Sequence, residues 1–212
     1  MEGKDTSIAI GADTKFGIYT FNHKTNTIDT TFRHGHKIFN RGKITYVTIG
    51  YGSEIQRRIA DSLCSLNLRV YEIIDKYADR YEKLCMLDLA DIKKRSPKMY
   101  QQMTGKSPSI ISSTIFAGFS HNKPFLFHLL FILNRQSGIK CTFLDDPVAA
   151  GGELNAVQGE LSNNRNWEGD PIAAIRKMLK TEAMDQPDKV GLPFDFYIIY
   201  KNRVEQHTYT HY

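Results

Sequence analysis

The chain has 212 residues, enough for one domain with a substantial core and short for two. Its balance of 41% hydrophobic and 24% charged residues excludes broad disorder away from the termini. The net charge of +5 is dispersed, and its densest basic cluster, Lys93-Lys94-Arg95, reads as the solvated face of a helix rather than a nucleic-acid contact.

The longest apolar run, Pro124 to Leu133, is broken by His128 and is half the length needed to span a bilayer, so no membrane-spanning helix is expected. No basic segment followed by a long apolar stretch opens the chain, so no secretory signal is read. Cys64, Cys85 and Cys141 are widely spaced and form no CxxC. This argues against a disulfide framework or zinc site and for reduced thiols in a cytosolic compartment.

In chain order, Ser7–Gly11 and Phe16–Phe21 read as strands joined by a polar turn, Ala12–Lys15, with a hairpin tip at His23–Thr27. Lys37–Phe39 and Ile44–Ile49 are further strands around Asn40–Lys43, and Gly50 and Gly52 turn the chain out of the sheet. From Ser53 the period changes. Ile55, Ile59, Leu63, Leu66, Val70, Ile74, Tyr77 and Tyr81 form one stripe along a long helix, and Ser53 with Gln56 fits an N-terminal capping box. A second helical stretch, Leu87 to Met103, should bend at Pro97, and Thr104–Pro108 is a loop.

Strands return at Ile110–Phe119 and Phe125–Phe131 about a turn at Ser120–Lys123, and then at Cys141–Leu144 after Gly138. Gly151-Gly152 opens a short helix to about Leu161. Asp170-Pro171 starts another, with Ile172, Ile175, Leu179 and Ala183 along one face. Phe194–Tyr200 and Val204–Thr210 close the chain as strands around Lys201–Arg203. Two groups of apolar strands and two helix pairs predict an α+β fold, a four-layer α-β-β-α sandwich of two antiparallel sheets in a single domain over residues 1–212.

This element order resembles the proteasome β-type subunit and HslV family, which has the N-terminal-nucleophile hydrolase fold. Thr6–Ile10 is similar to the strand carrying that family's nucleophilic threonine, and His36–Phe39 to its Lys-Ile segment. Phe116–Phe119 with Pro124–Phe127 is similar to its Gly-Phe hairpin, and Val148–Gly152 to its Gly-Ser-Gly turn. Asp170–Ala174 and Phe194–Ile198 are similar to its next helix start and its late strand.

The resemblance implies a chemistry with simple needs. A threonine hydroxyl is a poor nucleophile and requires a base, which the free α-amine of a first-residue threonine supplies. A charged lysine lowers the pKa of that site, an aspartate orients the lysine, and backbone N–H groups at a glycine turn stabilise the oxyanion. Transferred by residue, the implied catalytic groups are Thr6 and Lys37, and the oxyanion turn is Gly151 with Gly152. The rest of the pattern is incomplete. Asn22 and His23 stand where the orienting aspartate belongs, Ala149-Ala-Gly-Gly152 lacks the serine, and Asp185–Gly191 lacks the second serine. Asp5 rather than glycine precedes Thr6, and the sequence begins ahead of it at Met1.

The expectation is therefore a non-catalytic proteasome β-type or proteasome-like subunit, a structural component of a proteolytic ring that meets polypeptide substrate indirectly. The implied partners are homologous subunits, with no cofactor, metal, membrane or nucleic acid, in the cytoplasm and, in a eukaryote, the nucleus. Two alternatives stand beside it. One is an active threonine peptidase or amidohydrolase using Thr6 once residues 1–5 are removed, and the other is a stand-alone basic binding module. Gly50–Ser53 lacks the second glycine-lysine of a phosphate loop. His34 and His36 read as an exposed strand face rather than metal ligands, and His128 as a satisfied core histidine.

Overall fold

The computed structural model describes residues 6–22, 25, 27–105, 108–134, 138–144, 149–152 and 170–211, with the side chains of 19–22 and 27–29 excepted. The chain forms two compact units. One holds the described residues up to Phe39 and from Asp170 onward, and the other is Asn40–Gly152.

In the first unit, β1 (Ser7–Asp13) pairs antiparallel with β9 (Phe194–Tyr200), and β9 with β10 (Val204–Tyr209), giving the order β1-β9-β10. Helix α4 (Pro171–Asp185) starts as its sequence predicts, with Pro171 in the first turn and the Asp170 carboxylate accepting the Ala173 N–H at 3.0 Å. Its Ile172, Ile175, Leu179 and Ala183 pack with Val190, Phe194 and Phe196. Gly11 makes the close approach possible, because a Cβ there would lie 2.4 Å from the Ile175 side chain. β2 (Lys15–Asn22) and β3 (Thr27–His34) form a separate two-stranded ribbon.

The second unit is built on a five-stranded antiparallel sheet in the order β4-β5-β6-β7-β8: β4 (Ile38–Arg41), β5 (Ile44–Gly50), β6 (Ser109–Ser120), β7 (Lys123–Asn134) and β8 (Gly138–Leu144). The β6–β7 hairpin turns at His121 and Asn122, both with positive φ, as a tight hairpin of this hand requires. Three helices join β5 to β6: α1 (Ser53–Cys64), α2 (Val70–Arg95) and α3 (Pro97–Thr104). The buried stripe of α2, including Ile74, Tyr77, Tyr81, Cys85 and Leu89, lies over the sheet. Tyr77 meets Phe116 edge-on at 5.0 Å, and Tyr81 meets Phe131 at 4.4 Å.

Several expectations are corrected. The α+β class with antiparallel sheets holds, but the described residues form three sheets rather than two, and the four-layer sandwich is not established. The reason is local. β1 runs two residues past Gly11 in register with β9, so it does not fold back on β2, which pairs with β3 instead. The long helix breaks between Cys64 and Val70, where the Leu66 N–H turns back to the Leu63 carbonyl and the Glu72 carboxylate accepts the Arg69 N–H to begin α2. The Ser53–Gln56 capping box does not form. Gln56 is buried, and its Nε2 donates to the carbonyls of Ile49 and Tyr51, at 3.2 and 2.9 Å. The helix expected after Gly152 lies outside the described residues, as does His23.

Candidate functional site

A polar cluster of the first unit lies at the end of β1. Asp13, paired with Phe194 at the last step of the β1–β9 register, is 9% exposed. Lys37 Nζ donates to its Oδ1 at 2.6 Å, and the Lys15 backbone N–H donates to its Oδ2 at 3.0 Å. Burial pushes the Asp13 carboxyl above the usual carboxylate range. The charge and hydrogen bond of Lys37, with the backbone N–H groups of Lys15 and Gly191, oppose that shift without cancelling it.

Around this pair the chain is tied down by its neighbours. The Thr14 N–H donates to the Pro193 carbonyl at 3.1 Å, and the Gly35 N–H to the Thr14 carbonyl at 2.9 Å. The Thr14 hydroxyl, on a residue only 4% exposed, is hydrogen-bonded to His34 Nδ1 at 3.1 Å. One residue along β9 a second carboxylate is buried. Asp195 accepts from the Thr208 hydroxyl at 2.8 Å and meets His36 Nδ1 at 2.8 Å. Because strand side chains alternate, Asp13 and Asp195 lie on opposite faces of the sheet. His34 and His36 therefore engage a hydroxyl and a carboxylate.

Lys37 thus has its aspartate, but from β1. The residue pattern placed that partner near Asn22 and read Asp13 as part of a turn. The available signal was the apolar run Ile8-Ala-Ile-Gly-Ala ending on a carboxylate, which fits a strand whose last side chain stays buried. Thr6 is exposed and precedes the other end of β1. From Ser7 to Asp13 the strand runs about 20 Å. The Lys37 ammonium, held at Asp13, is therefore more than about 10 Å from the Thr6 end, beyond hydrogen-bonding reach.

Gly151 and Gly152 belong to the second unit. Gly152 has φ 97°, and a Cβ on Gly151 would stand 2.6 Å from Ser113 Oγ and 2.9 Å from the Ile49 side chain. A side chain at Gly151 would thus have to displace the ends of the Ser113 and Ile49 side chains. Ser113 Oγ is buried without a hydrogen-bond partner among the described residues. Among those residues no cluster of three or more His, Cys, Asp or Glu is placed to hold a metal ion. No described helix is long and apolar enough to cross a membrane.

The site consists of a carboxylate-held ammonium, a capped hydroxyl and a buried carboxylate beneath a histidine. Its contacts fix the end of the strand.

No protein-family model matches this sequence, and no curated protein matches it. The solved structures that match include three of Anbu. Anbu from Hyphomicrobium sp. strain MC1 aligns at a TM-score of 0.51 and 12% identity, over 95% of this chain and 82% of that one. A mutant form of the same protein aligns at 0.52 and 14%, with the same coverage. The Anbu complex from Pseudomonas aeruginosa, described as a helical assembly, aligns at 0.52 and 13%, again over 95% and 82%. Identities this low show a shared fold. They correct the expected membership of the proteasome β-type and HslV family: these neighbours are Anbu structures, and with three sheets among the described residues the relation is a distant one.

Proposed function

We propose that this chain is a non-catalytic subunit of an assembly of like or homologous subunits, built on the fold it shares with Anbu. The observation that carries the non-catalytic reading is the length of β1. Thr6 stands at one end of the strand, and Lys37 is held by Asp13 at the other. A threonine hydroxyl that this lysine does not reach lacks its help in lowering the pKa and remains a poor nucleophile. The assembly reading is supported by the Anbu complex of Pseudomonas aeruginosa, described as a helical assembly. Polypeptide substrate would then concern this chain only through its partners.

The test combines mass and turnover. Intact mass of the purified protein is measured denatured and native, and a fluorogenic peptide panel is assayed with wild type, Thr6→Ala and Lys37→Ala. The expected result is an unprocessed chain, a native multimer and no hydrolysis that either substitution changes. A denatured mass starting at Thr6, with hydrolysis abolished in Thr6→Ala, would establish an active threonine hydrolase instead. A strict monomer would leave the stand-alone binding module.

A further inference from the structure

We propose that the groove between α4 and β10 receives an extended acidic segment of another polypeptide, which adds to the free edge of β10 and sets alternate carboxylates against Arg176 and Lys180. This binding surface lies outside the Asp13–Lys37 cluster and does not depend on the proposed assembly.

The groove follows from how α4 sits. Because Gly11 has no side chain, Ile175 comes down onto β1 and Phe196, and the apolar side of α4 is spent on β1 and β9. The helix does not cover β10. Tyr209, opposite Phe194 in the register, forms the floor of a groove of about 340 Å³, and Asp170, Ile172, Ala173 and the basic side of α4 line it. Arg176 stacks on the Tyr209 ring at 4.5 Å, and that ring in turn meets Phe196 edge-on at 5.0 Å, so the guanidinium is held at the groove. Lys177 and Lys180 complete an exposed cationic wall. Among the described residues, two acidic groups nearby are already engaged: Asp170 accepts the Ala173 N–H at 3.0 Å, and Glu205 is bound by Arg203 at 2.8 Å.

Two features favour an extended polypeptide over other anions. Among the described residues β10 pairs only with β9, so its outer row of backbone N–H and C=O groups is open, and only another peptide strand completes such a row. The spacing also matches. Arg176 and Lys180 are one helical turn apart, about 6 Å along the axis. Side chains on one face of a strand repeat about every 6.6 Å. A strand with acidic residues at positions i and i+2 therefore carries its charges at nearly the spacing of the two cations. The cations occupy little more than one turn, too short a stripe to track a nucleic-acid backbone.

The test is fluorescence anisotropy on the full chain, with a labelled synthetic peptide carrying Glu at alternate positions among Thr and Val. Expected is saturable binding that weakens with salt and falls about tenfold or more in Arg176→Glu and in Lys180→Glu. Lys180→Glu leaves the Arg176–Tyr209 stack intact, and its far-ultraviolet circular dichroism should match wild type. A scrambled peptide with its Glu residues adjacent, and a version with N-methylated backbone amides, should both bind about tenfold more weakly. Equal binding of the alternating, scrambled and N-methylated peptides would overturn the proposal in favour of unspecific attraction to polyanions. Displacement by a single-stranded oligonucleotide at lower concentration than by unlabelled peptide would overturn it in favour of nucleic acid. Unchanged affinity in both charge-reversal variants would overturn the assigned groove.

Discussion

Lys37 and Asp13 form an ion pair with 2.6 Å between Nζ and Oδ1, and their side chains are 21% and 12% exposed. The carboxylate also receives the Lys15 N–H, so removing it strands an ammonium and a backbone donor together. Its burial nonetheless outweighs these partners and holds its pKa above the ordinary value of 3.8. A carboxyl group whose folded pKa exceeds its unfolded pKa contributes stability that is present below the unfolded value and lost as pH rises through the folded one. Asp13→Asn cannot ionise. The stability of wild type relative to Asp13→Asn should therefore decline with rising pH in a window that starts near 3.8. Urea unfolding at a series of pH values checks this, and a rise instead would mean that Lys37 dominates.

His128 carries a second pH signature, with the opposite sign. It is 5% exposed on β7, its Nε2 has no partner among the described residues, and burial lowers its pKa below 6.5. The folded state keeps the ring neutral while the unfolded state protonates, so stability is full above 6.5 and falls as pH drops through that window. His128→Leu should remove that decline and raise stability by about 1 kcal/mol, because a buried unsatisfied polar atom disappears. Thermal melts between neutral and mildly acidic pH would show it. The sequence reading of a satisfied core histidine is right about the core and wrong about the satisfaction.

The second unit depends on a buried polar knot. Tyr77 Oη and Thr114 Oγ1 lie 2.6 Å apart, and Thr114 also donates to Gln56 Oε1 at 2.6 Å, while Gln56 Nε2 holds the Ile49 and Tyr51 carbonyls. Gln56→Leu takes a donor from the Ile49 and Tyr51 carbonyls, the latter still bonded by the Tyr81 hydroxyl, and an acceptor from the Thr114 and Tyr77 hydroxyls, and should cost roughly 3 kcal/mol. Tyr77→Phe removes one hydroxyl and should cost roughly 1 kcal/mol. Equilibrium denaturation of both variants measures the ratio, and equal costs would mean that the knot is not centred on Gln56.

Gly11→Ala tests the seating of α4. Its Cβ would lie 2.4 Å from Ile175 and 2.9 Å from Phe196, so the helix must rise off the sheet, at a cost of about 1–3 kcal/mol. Ile175→Ala in the same chain should recover part of that loss, giving a favourable coupling in a double-mutant cycle. Additive effects would show that the two residues do not press on one another.

Elements with local punctuation were legible in the sequence. Asp170-Pro171 begins α4, and the Ser120–Lys123 turn joins β6 to β7. The break between α1 and α2 was not, because Leu66 continues the three-and-four spacing although it is 49% exposed. Periodicity records where apolar residues fall, not which of them are buried. The partner of β1 was hidden for a different reason. Nothing near Ser7–Asp13 marks Phe194–Tyr200 as its neighbour, so Asp13 reads as a turn residue and its contact with Lys37 is not legible in the sequence.

The pairing of β1 with β9 also orders events at the ribosome. Asn40–Gly152 is one uninterrupted stretch, whereas the other unit is assembled from both flanks of the sequence. Synthesis proceeds from the N-terminus, and contiguous units fold as they emerge. β1 is therefore made well before its partner strand and must wait, its backbone groups hydrated and its apolar side chains uncovered, until Phe194–Tyr200 has left the exit tunnel. Chaperone demand should peak in that interval, and a nascent chain stalled before Phe194 should expose β1 to protease while the Asn40–Gly152 stretch already resists it.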